Sequence, residues 1–317
     1  MRSINNTVVA VIGGAGFIGS HLVDYLVKER NCKVIVLDNL ITGKKEFVHP
    51  DAKFIWCDIT HSESQLIKIF KQYGVKFVFN YAAEPYIPVS FERPLHVFDI
   101  NARGALMVMN AAQEAGVEGI LQVSSAEIYG DAPNHKIDEE YPARPHSTYG
   151  ASKLAIDCLV QARAKEAKTP VIALRQFNVV GERETHPYVI PEIIEQVSKT
   201  STVSLGNNSF RDFQYVGDAV AMAVELLEKG KFGEVYNMGS EDGVKIYDLA
   251  VMIGEIMGTH VDIQVDQKRV RPWEIWHLQS DNTKLYSVID YRPKTSLKQA
   301  LTKTVKYFYE NGNKWGF

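Results

Sequence analysis

The 317-residue sequence is poor in three features that often decide the class of a protein: long apolar runs, cysteine pairs and an excess of one charge. It has no run of about 18 apolar residues, so no membrane-spanning helix is predicted. The first residues, MRSINNTVVAVIGG, lack the apolar stretch and cleavage site of a signal peptide, so a cytoplasmic location is expected. The formal charge of −3 gives no electrostatic reason to expect nucleic acid or a membrane as a partner.

The cysteines are scattered and form no CxxC pair. Cys32, Cys57 and Cys158 are expected to be reduced and mostly packed, and we predict neither a disulfide nor a metal site. The sequence also lacks internal repeats, low-complexity tracts and flexible linkers. These absences favour one large domain or two closely packed lobes over a string of separate modules.

The sequence does contain a regular alternation of short β-branched runs with amphipathic helical stretches. This alternation predicts βαβ units, and hence an α/β fold with a parallel sheet that is covered by helices on both faces. The pattern loosens after residue 178, where a smaller lobe is expected. The predicted strands are 8–13, 32–38, 53–59, 76–83, 119–125, 170–178 and 235–240, and the predicted long helices are 20–30, 95–116 and 146–167.

A glycine-rich segment, GGAGFIG, joins the first predicted strand to the first helix and contains Gly13, Gly16 and Gly19. In this context the glycines allow a tight turn, close approach of a pyrophosphate and close packing of helix on strand. Asp38 ends the second strand, where a carboxylate can bind the ribose hydroxyls of a dinucleotide. The Asp38 carboxylate would repel a 2′-phosphate, and no arginine follows it to bind one. The pattern therefore favours NAD over NADP.

Further motifs point to a known family. Tyr149 and Lys153 form a YxxxK motif, and the NYAA stretch resembles a strand-four motif in which Asn80 replaces the usual histidine. RDFQYVGD and RVRPWEIWHLQSDNTKL resemble late motifs of nucleotide-sugar epimerases and dehydratases. Over nearly its whole length the sequence therefore resembles the extended branch of the short-chain dehydrogenase/reductase superfamily.

The resemblance implies a Rossmann-type, doubly wound parallel sheet with a smaller, interwoven C-terminal substrate-binding lobe. The NAD-binding domain is expected at 1–175 plus about 212–240, and the nucleotide-sugar lobe at about 176–211 and 241–317. A homodimer is expected through the helices near 95–116 and 146–167. The candidate cofactor-binding residues are Gly13, Gly16, Phe17, Ile18, Gly19, Asp38, Asn39, Asp58, Ile59, Ala82, Ala83 and Lys153. Of these, Asp58 and Ile59 are expected beside the adenine, although Asp58 also fits an ordinary aspartate at a strand end.

The candidate catalytic residues begin with Tyr149 and Lys153, which lie four positions apart and so share one helix face. A nearby ammonium stabilises a phenolate, so Lys153 is expected to lower the pKa of Tyr149. The resemblance implies that Lys153 also holds the nicotinamide ribose and that Ser125 hydrogen-bonds the sugar O4. In that scheme Tyr149 takes the O4 proton while a hydride leaves C4, which gives a 4-keto sugar.

Glu127 lies two residues beyond Ser125, in SSAEIYG. The resemblance implies that an acid here can remove the C5 proton of a 4-keto sugar, after which the C6 hydroxyl leaves as water. We therefore predict 4,6-dehydration, with Glu127 as C5 base and then C6 acid, because Ala126 occupies a position where some relatives have a second acid. A 4-epimerase is the main alternative. A decarboxylase, a 4-oxidase, a non-catalytic dinucleotide sensor and a purely structural Glu127 stay open.

Substrate-binding candidates follow from the same resemblance. Asn178 matches an RxxNxxG motif. Arg211 and Arg271 match arginines of the family whose guanidinium groups suit a diphosphate. Trp273, Trp276 and His277 receive no role, and Asp218 is expected to cap a helix rather than to take part in chemistry. The candidates are Glu84, Asn178, Val189, Arg211 and Arg271, and the ligand they imply is a nucleoside-diphosphate sugar.

Overall fold

The computed structural model describes residues 2–132, 135–270 and 273–311. Within them, strands and helices alternate through the first part of the chain as predicted. The strands are β1 (Val8–Ile12), β2 (Lys33–Asp38), β3 (Lys53–Trp56), β4 (Phe77–Asn80), β5 (Gly119–Ser125), β6 (Val171–Gln176), β7 (Asn178–Val180), β8 (Thr202–Leu205), β9 (Phe210–Tyr215), β10 (Val235–Met238), β11 (Gly243–Lys245), β12 (Asp262–Val265) and β13 (His277–Leu278).

The helices form layers on both sides of the main sheet and build much of the smaller lobe. They are α1 (Phe17–Lys28), α2 (Glu63–Tyr73), α3 (Ile87–Glu92), α4 (Pro94–Phe98), α5 (Gly104–Glu114), α6 (Thr148–Glu166), α7 (Val189–Lys199), α8 (Val216–Lys229), α9 (Ile246–Met257), α10 (Thr283–Tyr286) and α11 (Leu297–Asn311).

The main sheet has seven strands in the order β10-β6-β5-β4-β1-β2-β3, and all of its pairings are parallel. One buried face packs on α1 and α8, and the other packs on α2, α5 and α6. The predicted Rossmann-type, doubly wound α/β fold is therefore confirmed. The direction of winding reverses between β1 and β4, and at such a point the carboxyl ends of the strands open a crevice for ligands.

The smaller lobe contains a four-stranded sheet of β7, β9, β11 and β13 and a separate pair, β8 with β12. Helices α7, α9 and α11 close a third hydrophobic core against these strands. Strand β9 belongs to this lobe through Tyr215, whereas α8, from Val216, packs on the main sheet. The chain thus returns to the main sheet at Val216.

Several predicted bounds differ from the structure by a few residues, and two of the differences have a clear cause. Strand β3 ends at Trp56 instead of residue 59, because its one partner, β2, ends at Asp38 directly opposite Trp56. The helix expected over 95–116 is interrupted by a π-helical turn at Asp99–Arg103. Among the described residues, no helix has both the length and the apolar character that crossing a membrane requires.

The expectation that Asp218 caps a helix is wrong. Asp218 lies in the first turn of α8, and the N-terminal cap position is Tyr215, without a side-chain capping bond. The buried carboxylate of Asp218 instead accepts hydrogen bonds from the Tyr291 hydroxyl at 2.7 Å and from the Thr295 backbone N–H at 3.0 Å. It therefore fastens the segment before α11 onto the main sheet's helix layer.

Candidate functional site

A cavity of about 720 Å³ opens at the carboxyl ends of the main-sheet strands, against the smaller lobe. It brings together residues from both lobes, and every candidate site residue that the structure describes lines it. Arg271 lies outside the described residues. The candidates around the cavity are Gly13, Gly16, Phe17, Ile18, Gly19, Asp38, Asn39, Asp58, Ile59, Ala82, Ala83, Glu84, Ser125, Glu127, Tyr149, Lys153, Asn178, Val189 and Arg211.

The glycine turn forms one wall of the cavity, and at Gly13 and Gly19 the surrounding backbone leaves no room for a Cβ. Gly13 has φ +75°, and a Cβ there would lie 2.7 Å from the backbone nitrogen of Ala82. A Cβ on Gly19 would lie 2.0 Å from the Gly13 carbonyl oxygen. Helix α1 then begins after Gly16 with no side-chain cap and no acidic residue in its first turn. Its first N–H groups and positive dipole end therefore suit an anionic pyrophosphate.

Asp38 lies beside this turn with its carboxylate held by the backbone. The Ala15 N–H donates to one oxygen at 3.0 Å and the Leu40 N–H donates to the other at 2.8 Å. Burial raises the pKa of Asp38, and these two hydrogen bonds oppose the rise. A Cβ on Gly43 would lie 2.8 Å from the same carboxylate, so the chain keeps this space clear. The oriented carboxylate and the bare turn together fit the ribose and pyrophosphate of a dinucleotide.

Asp58, expected near the adenine, anchors the neighbouring loop. It accepts hydrogen bonds from the Asn39 side chain at 3.0 Å and from the backbone and hydroxyl of Thr60 at 2.8 and 2.7 Å. Burial works to raise the pKa of Asp58, but the bonds from Thr60 and Asn39 outweigh it and hold the pKa low. The geometry is that of a strand-end aspartate that also borders the cavity.

The catalytic candidates meet where β5 ends beside α6. Tyr149 and Lys153 are both buried, and the Lys153 Nζ lies 5.8 Å from the centre of the Tyr149 ring. Lys153 donates to the Val123 carbonyl at 3.2 Å, and Ser125 hydrogen-bonds the Tyr149 phenol. Ser147 caps α6 through the Gly150 N–H at 3.0 Å, which fixes the helix start that carries Tyr149.

The expected lowering of the Tyr149 pKa by Lys153 does not appear in the structure. Burial raises the pKa of Tyr149, the Ser125 hydrogen bond lowers it, and the charges of Glu127 and Glu84 raise it further. Burial also lowers the pKa of Lys153 to about 8, against the opposing charge of Asp157. Since burial disfavours both the phenolate and the ammonium, desolvation outweighs their mutual attraction in the protein alone.

A buried network lies behind Lys153. Asp157, one helical turn further along α6, accepts from the Arg175 Nε at 2.8 Å. Arg175 also donates to the Tyr129 hydroxyl at 2.7 Å, and that hydroxyl donates to the Asn237 side chain at 2.6 Å. The network therefore ties the catalytic helix to β6 and β10 across the sheet.

The position of Glu127 follows from the short 3₁₀ turn Ala126–Ile128 after β5. Ser125 caps this turn by accepting from the Glu127 N–H at 3.2 Å. Ile128 and Tyr129 then enter a buried apolar cluster, whereas Glu127 stays half-buried on the cavity wall. An acid can thus follow a buried strand directly, because the turn directs it away from the core. Its charge raises the pKa of Tyr149, so the two groups are electrostatic neighbours.

Sequence reasoning missed Asn101, which positions Glu84. Asn101 lies on the π-helical turn and accepts from the Glu84 N–H at 2.9 Å while donating to the Glu84 carbonyl at 3.3 Å. It also donates to Ser152 on α6 at 3.0 Å. The Glu84 carboxylate accepts from the Tyr86 N–H at 3.2 Å. No local sequence signal marks the turn, although Gly104 after it packs on the Ile59 side chain, whose Cδ1 would lie 2.7 Å from a Cβ.

Arg211 reaches the opposite wall of the cavity in an ion pair. Its Nη2 lies 2.8 Å from Glu274, which also accepts from the Asn207 side chain at 2.6 Å. Arg211 and Glu274 are each only 9% exposed in their side chains, so the pair is buried rather than a surface salt bridge. His277 packs on Phe210 with ring centres 4.5 Å apart, while Trp273 and Trp276 are exposed.

A second group that sequence reasoning missed lies between β7 and α7. Glu184, Thr185, His186 and Tyr188 all line the cavity. The His186 ring stacks on Tyr86 with centres 5.8 Å apart and lies 5.4 Å from the Tyr188 ring. Burial lowers the pKa of His186 to about 4, so this imidazole is neutral at physiological pH. In the sequence this group lies in the run ERETHPY, which mixes charged, polar and aromatic residues. The run has neither helical nor strand periodicity, so sequence pattern did not single it out.

Comparison with known proteins adds an independent observation. Residues 9–239 match the model of the NAD dependent epimerase/dehydratase family. The human dTDP-D-glucose 4,6-dehydratase is 30% identical over 327 residues, covering 97% of this chain and 91% of that protein. A putative UDP-glucose 4-epimerase of Methanocaldococcus jannaschii is 32% identical over 309 residues, covering 96% and 99%.

A solved structure agrees with this match. The UDP-glucose 4-epimerase of Thermus thermophilus, in complex with NAD, superposes with a TM-score of 0.87 at 30% identity, covering 95% of this chain and 99% of that one. Its NAD accords with the bare glycine turn and the backbone-held Asp38 described above.

Proposed function

Because the chain belongs to the NAD-dependent epimerase/dehydratase family, we propose that it catalyses 4,6-dehydration of a nucleoside-diphosphate hexose through a 4-keto intermediate. Family membership supports an NAD-dependent enzyme acting on nucleotide sugars, and both reaction types occur among its relatives at about 30% identity. The observation that carries the choice of dehydration is Glu127, a carboxylate on the cavity wall whose charge reaches the Tyr149 phenol.

Opening the reaction requires a base at the sugar O4. Bound NAD would supply the redox chemistry, taking a hydride from C4 and returning it later at C6. Tyr149 removes the O4 proton, and Ser125 orients that oxygen by hydrogen bonding. Because burial raises the pKa of Tyr149, the phenol acts as a base only when positive charge opposes burial. Lys153, whose Nζ lies 5.8 Å from the centre of the phenol ring, does not offset burial in the protein alone, so further positive charge would have to come with the bound cofactor.

Glu127 then catalyses the loss of water. The C4 ketone acidifies the C5 proton, and the carboxylate removes it. The same proton passes to the C6 hydroxyl, which leaves as water when the C6–O bond breaks. Glu127 serves as both base and acid because its neighbour Ala126 is buried and carries no acid. C5 finally receives a solvent proton as the hydride reaches C6, which completes a 4-keto-6-deoxy sugar.

We also propose a division of the cavity between its two ligands. The main-sheet domain, with the glycine turn, Asp38 and Lys153, binds NAD. The smaller lobe binds the nucleotide sugar through Asn178, Val189 and Arg211, while Glu84 contacts the sugar from the main-sheet side. The arginine fork of Arg211 suits a phosphate oxygen pair, and a bound diphosphate would compete with Glu274 for it.

A 4-epimerase is the second candidate, favoured by the single acid in the 3₁₀ turn. Epimerisation needs the ketone and hydride return to C4 but no C5 chemistry, so Glu127 would then only orient the sugar. The Methanocaldococcus jannaschii relative and the Thermus thermophilus structure carry epimerase names, and the chain covers nearly all of both.

The deciding experiment is incubation of the purified protein with UDP-, dTDP- and GDP-hexoses in D₂O, followed by NMR and mass spectrometry. A product that has lost water and gained one deuterium at C5 supports dehydration. An isomer without solvent deuterium would replace our proposal by epimerisation, and no turnover of any sugar would leave a dinucleotide sensor.

A homodimer is proposed on two grounds, the resemblance and the exposed apolar residues of the helices before the π-helical turn. Phe91, Leu95 and Phe98 are 61%, 83% and 43% exposed. Light scattering after size-exclusion chromatography should give twice the chain mass of 35.7 kDa. Substituting aspartate for Leu95 should shift it to the monomer mass, and a monomeric wild type would contradict the proposal.

A further inference from the structure

Glu184 is a buried acid on the cavity wall, and it has no role in the reaction proposed above. The two residues before it are tied to α1. The Glu182 carbonyl is 2.9 Å from the His21 Nε2, and Arg183 donates to Asp24 at 2.8 Å. Arg183 has φ +66°, a left-handed conformation unusual for a residue with a side chain. This anchored turn directs Glu184 inwards, where it is only 2% exposed and borders the cavity.

The Glu184 carboxyl lacks the partners that a buried acid normally has. Its Oε1 has no hydrogen-bond partner among the described residues, and the one stabilising contact to the group comes from the Gly181 N–H. The nearest cation along the chain, Arg183, is committed to Asp24. Buried polar atoms are nearly always hydrogen-bonded, and an unpaired one costs on the order of 1–3 kcal/mol. The unfilled position on Glu184 therefore points to a ligand group.

The surroundings indicate what kind of group that is. Glu184 acts electrostatically on the Tyr188 phenol together with Tyr149 and Glu84, so it belongs to the catalytic end of the cavity. On the other side, a Cβ on Gly181 would lie 3.5 Å from the Phe17 ring, next to the glycine turn. Burial raises the pKa of Glu184 well above its ordinary value, so the neutral acid can donate a hydrogen bond as well as accept one.

We propose that Glu184 is a further ligand-binding residue whose carboxyl group hydrogen-bonds a hydroxyl group of a bound ligand. This inference rests on the proposed function, since the ligands are those assigned to the cavity. The hydroxyl chemistry is common to the sugar of the nucleotide sugar and to a ribose of NAD. The proximity of Tyr188, Tyr149 and Glu84 favours the sugar.

The test compares Glu184→Gln and Glu184→Leu in a Tyr149→Phe background, where turnover is blocked. Glu182→Gln is the matched control, because it lies on the same turn but does not border the cavity. Calorimetry gives Kd values for NAD, for the nucleotide sugar that the wild type binds, and for the corresponding nucleoside diphosphate without the sugar. Should the leucine variant fail to fold, Glu184→Met offers the same apolar replacement with a more flexible chain.

We expect Leu to weaken nucleotide-sugar binding about tenfold and Gln, which keeps a hydrogen-bonding amide, to stay within about threefold of the parent. Binding of the bare nucleoside diphosphate and the Glu182→Gln control should not change. A tenfold loss that falls on NAD instead would support the hydroxyl contact and assign it to the cofactor. Unchanged affinity for both ligands in the leucine or methionine variant would overturn the inference. A wild type that binds NAD but no nucleotide sugar would refute the proposed function instead, and the NAD arm would still test Glu184.

Discussion

The two ends of the cavity are built from different parts of the polypeptide. The end proposed for the dinucleotide is made by backbone, with a turn that has no space for a Cβ at Gly13 or Gly19, an uncapped helix start and a carboxylate held by two N–H groups. The end proposed for the nucleotide sugar is made by ionisable side chains from distant segments, such as Arg211 and Glu274, which are 63 residues apart. Added atoms should therefore damage the first end, whereas removed or altered charges should damage the second.

The largest effect is expected where the two ends meet. Tyr149→Phe removes the proposed base, so kcat should fall by about 10³- to 10⁴-fold, while NAD affinity stays the same. Steady-state kinetics and NAD titration measure the two quantities, and Tyr141→Phe, near the surface, serves as the control. Turnover at the wild-type rate would mean that another group accepts the O4 proton.

Glu127→Gln is expected to have the next largest effect and to separate the steps. Loss of the carboxylate should slow water release by about 10²- to 10³-fold, because the amide cannot remove the C5 proton. The 4-keto sugar and the reduced cofactor should then accumulate. The reduced cofactor can be detected by the absorbance band of the reduced nicotinamide. Glu92→Gln, exposed on α3, is the control, and normal dehydration by the Glu127 variant would rule out its proposed role.

Arg211→Ala tests the charged end alone. Removing the guanidinium should weaken nucleotide-sugar binding by about 30- to 100-fold, the magnitude of a lost charge-assisted hydrogen-bond pair. NAD affinity should be unaffected, because the cofactor end is built from other segments. Calorimetry on the variant and on Arg144→Ala, an exposed control, checks this difference. Equal losses for both ligands would show that the two ends are not independent.

Gly16→Ala tests the backbone end alone. A Cβ at Gly16 would contact only the Gly13 carbonyl oxygen, at 3.3 Å, so the fold should tolerate it. The added methyl group nevertheless enters the space proposed for the pyrophosphate, and NAD affinity should fall about tenfold. A thermal melt establishes that the variant is folded. Unaltered NAD binding would indicate that the phosphates do not approach this residue.

The smallest expected effect concerns stability. Burial raises the pKa of Glu184 from its ordinary 4.5, so above pH 4.5 the folded state holds a proton that the unfolded state has lost. Wild-type stability should therefore fall as pH rises towards the raised value. Glu184→Gln lacks this proton, so its stability should not fall in the same way. The free energy of unfolding of the variant minus that of wild type should therefore rise by on the order of 1 kcal/mol between pH 5 and pH 8. Urea titrations at both values test this, with Glu182→Gln as baseline; a constant difference would show that Glu184 does not titrate anomalously.

The contrast between local backbone features and contacts of distant segments also separates what could be predicted from the sequence from what could not. The glycine turn, Asp38 and the Tyr149–Lys153 pair depend on spacing within one strand, turn or helix, so local pattern located them on one cavity wall. The helix break at Asp99–Arg103 could not be foreseen, because the bonds of Asn101 to Glu84 and Ser152 arise only after the chain has folded. The Arg211–Glu274 pair and the inward turn of Glu184 likewise depend on contacts between distant segments.

The buried chain of bonds from Asp157 through Arg175 and Tyr129 to Asn237 has a practical consequence. It couples the helix that carries the proposed base and its lysine to the edge strand β10 of the main sheet and to its neighbour β6, so movement of the reactive groups is tied to movement of these strands. Heat inactivation should therefore coincide with cooperative melting of the whole domain rather than precede it, and an enzyme that survives warming should survive it with full specific activity.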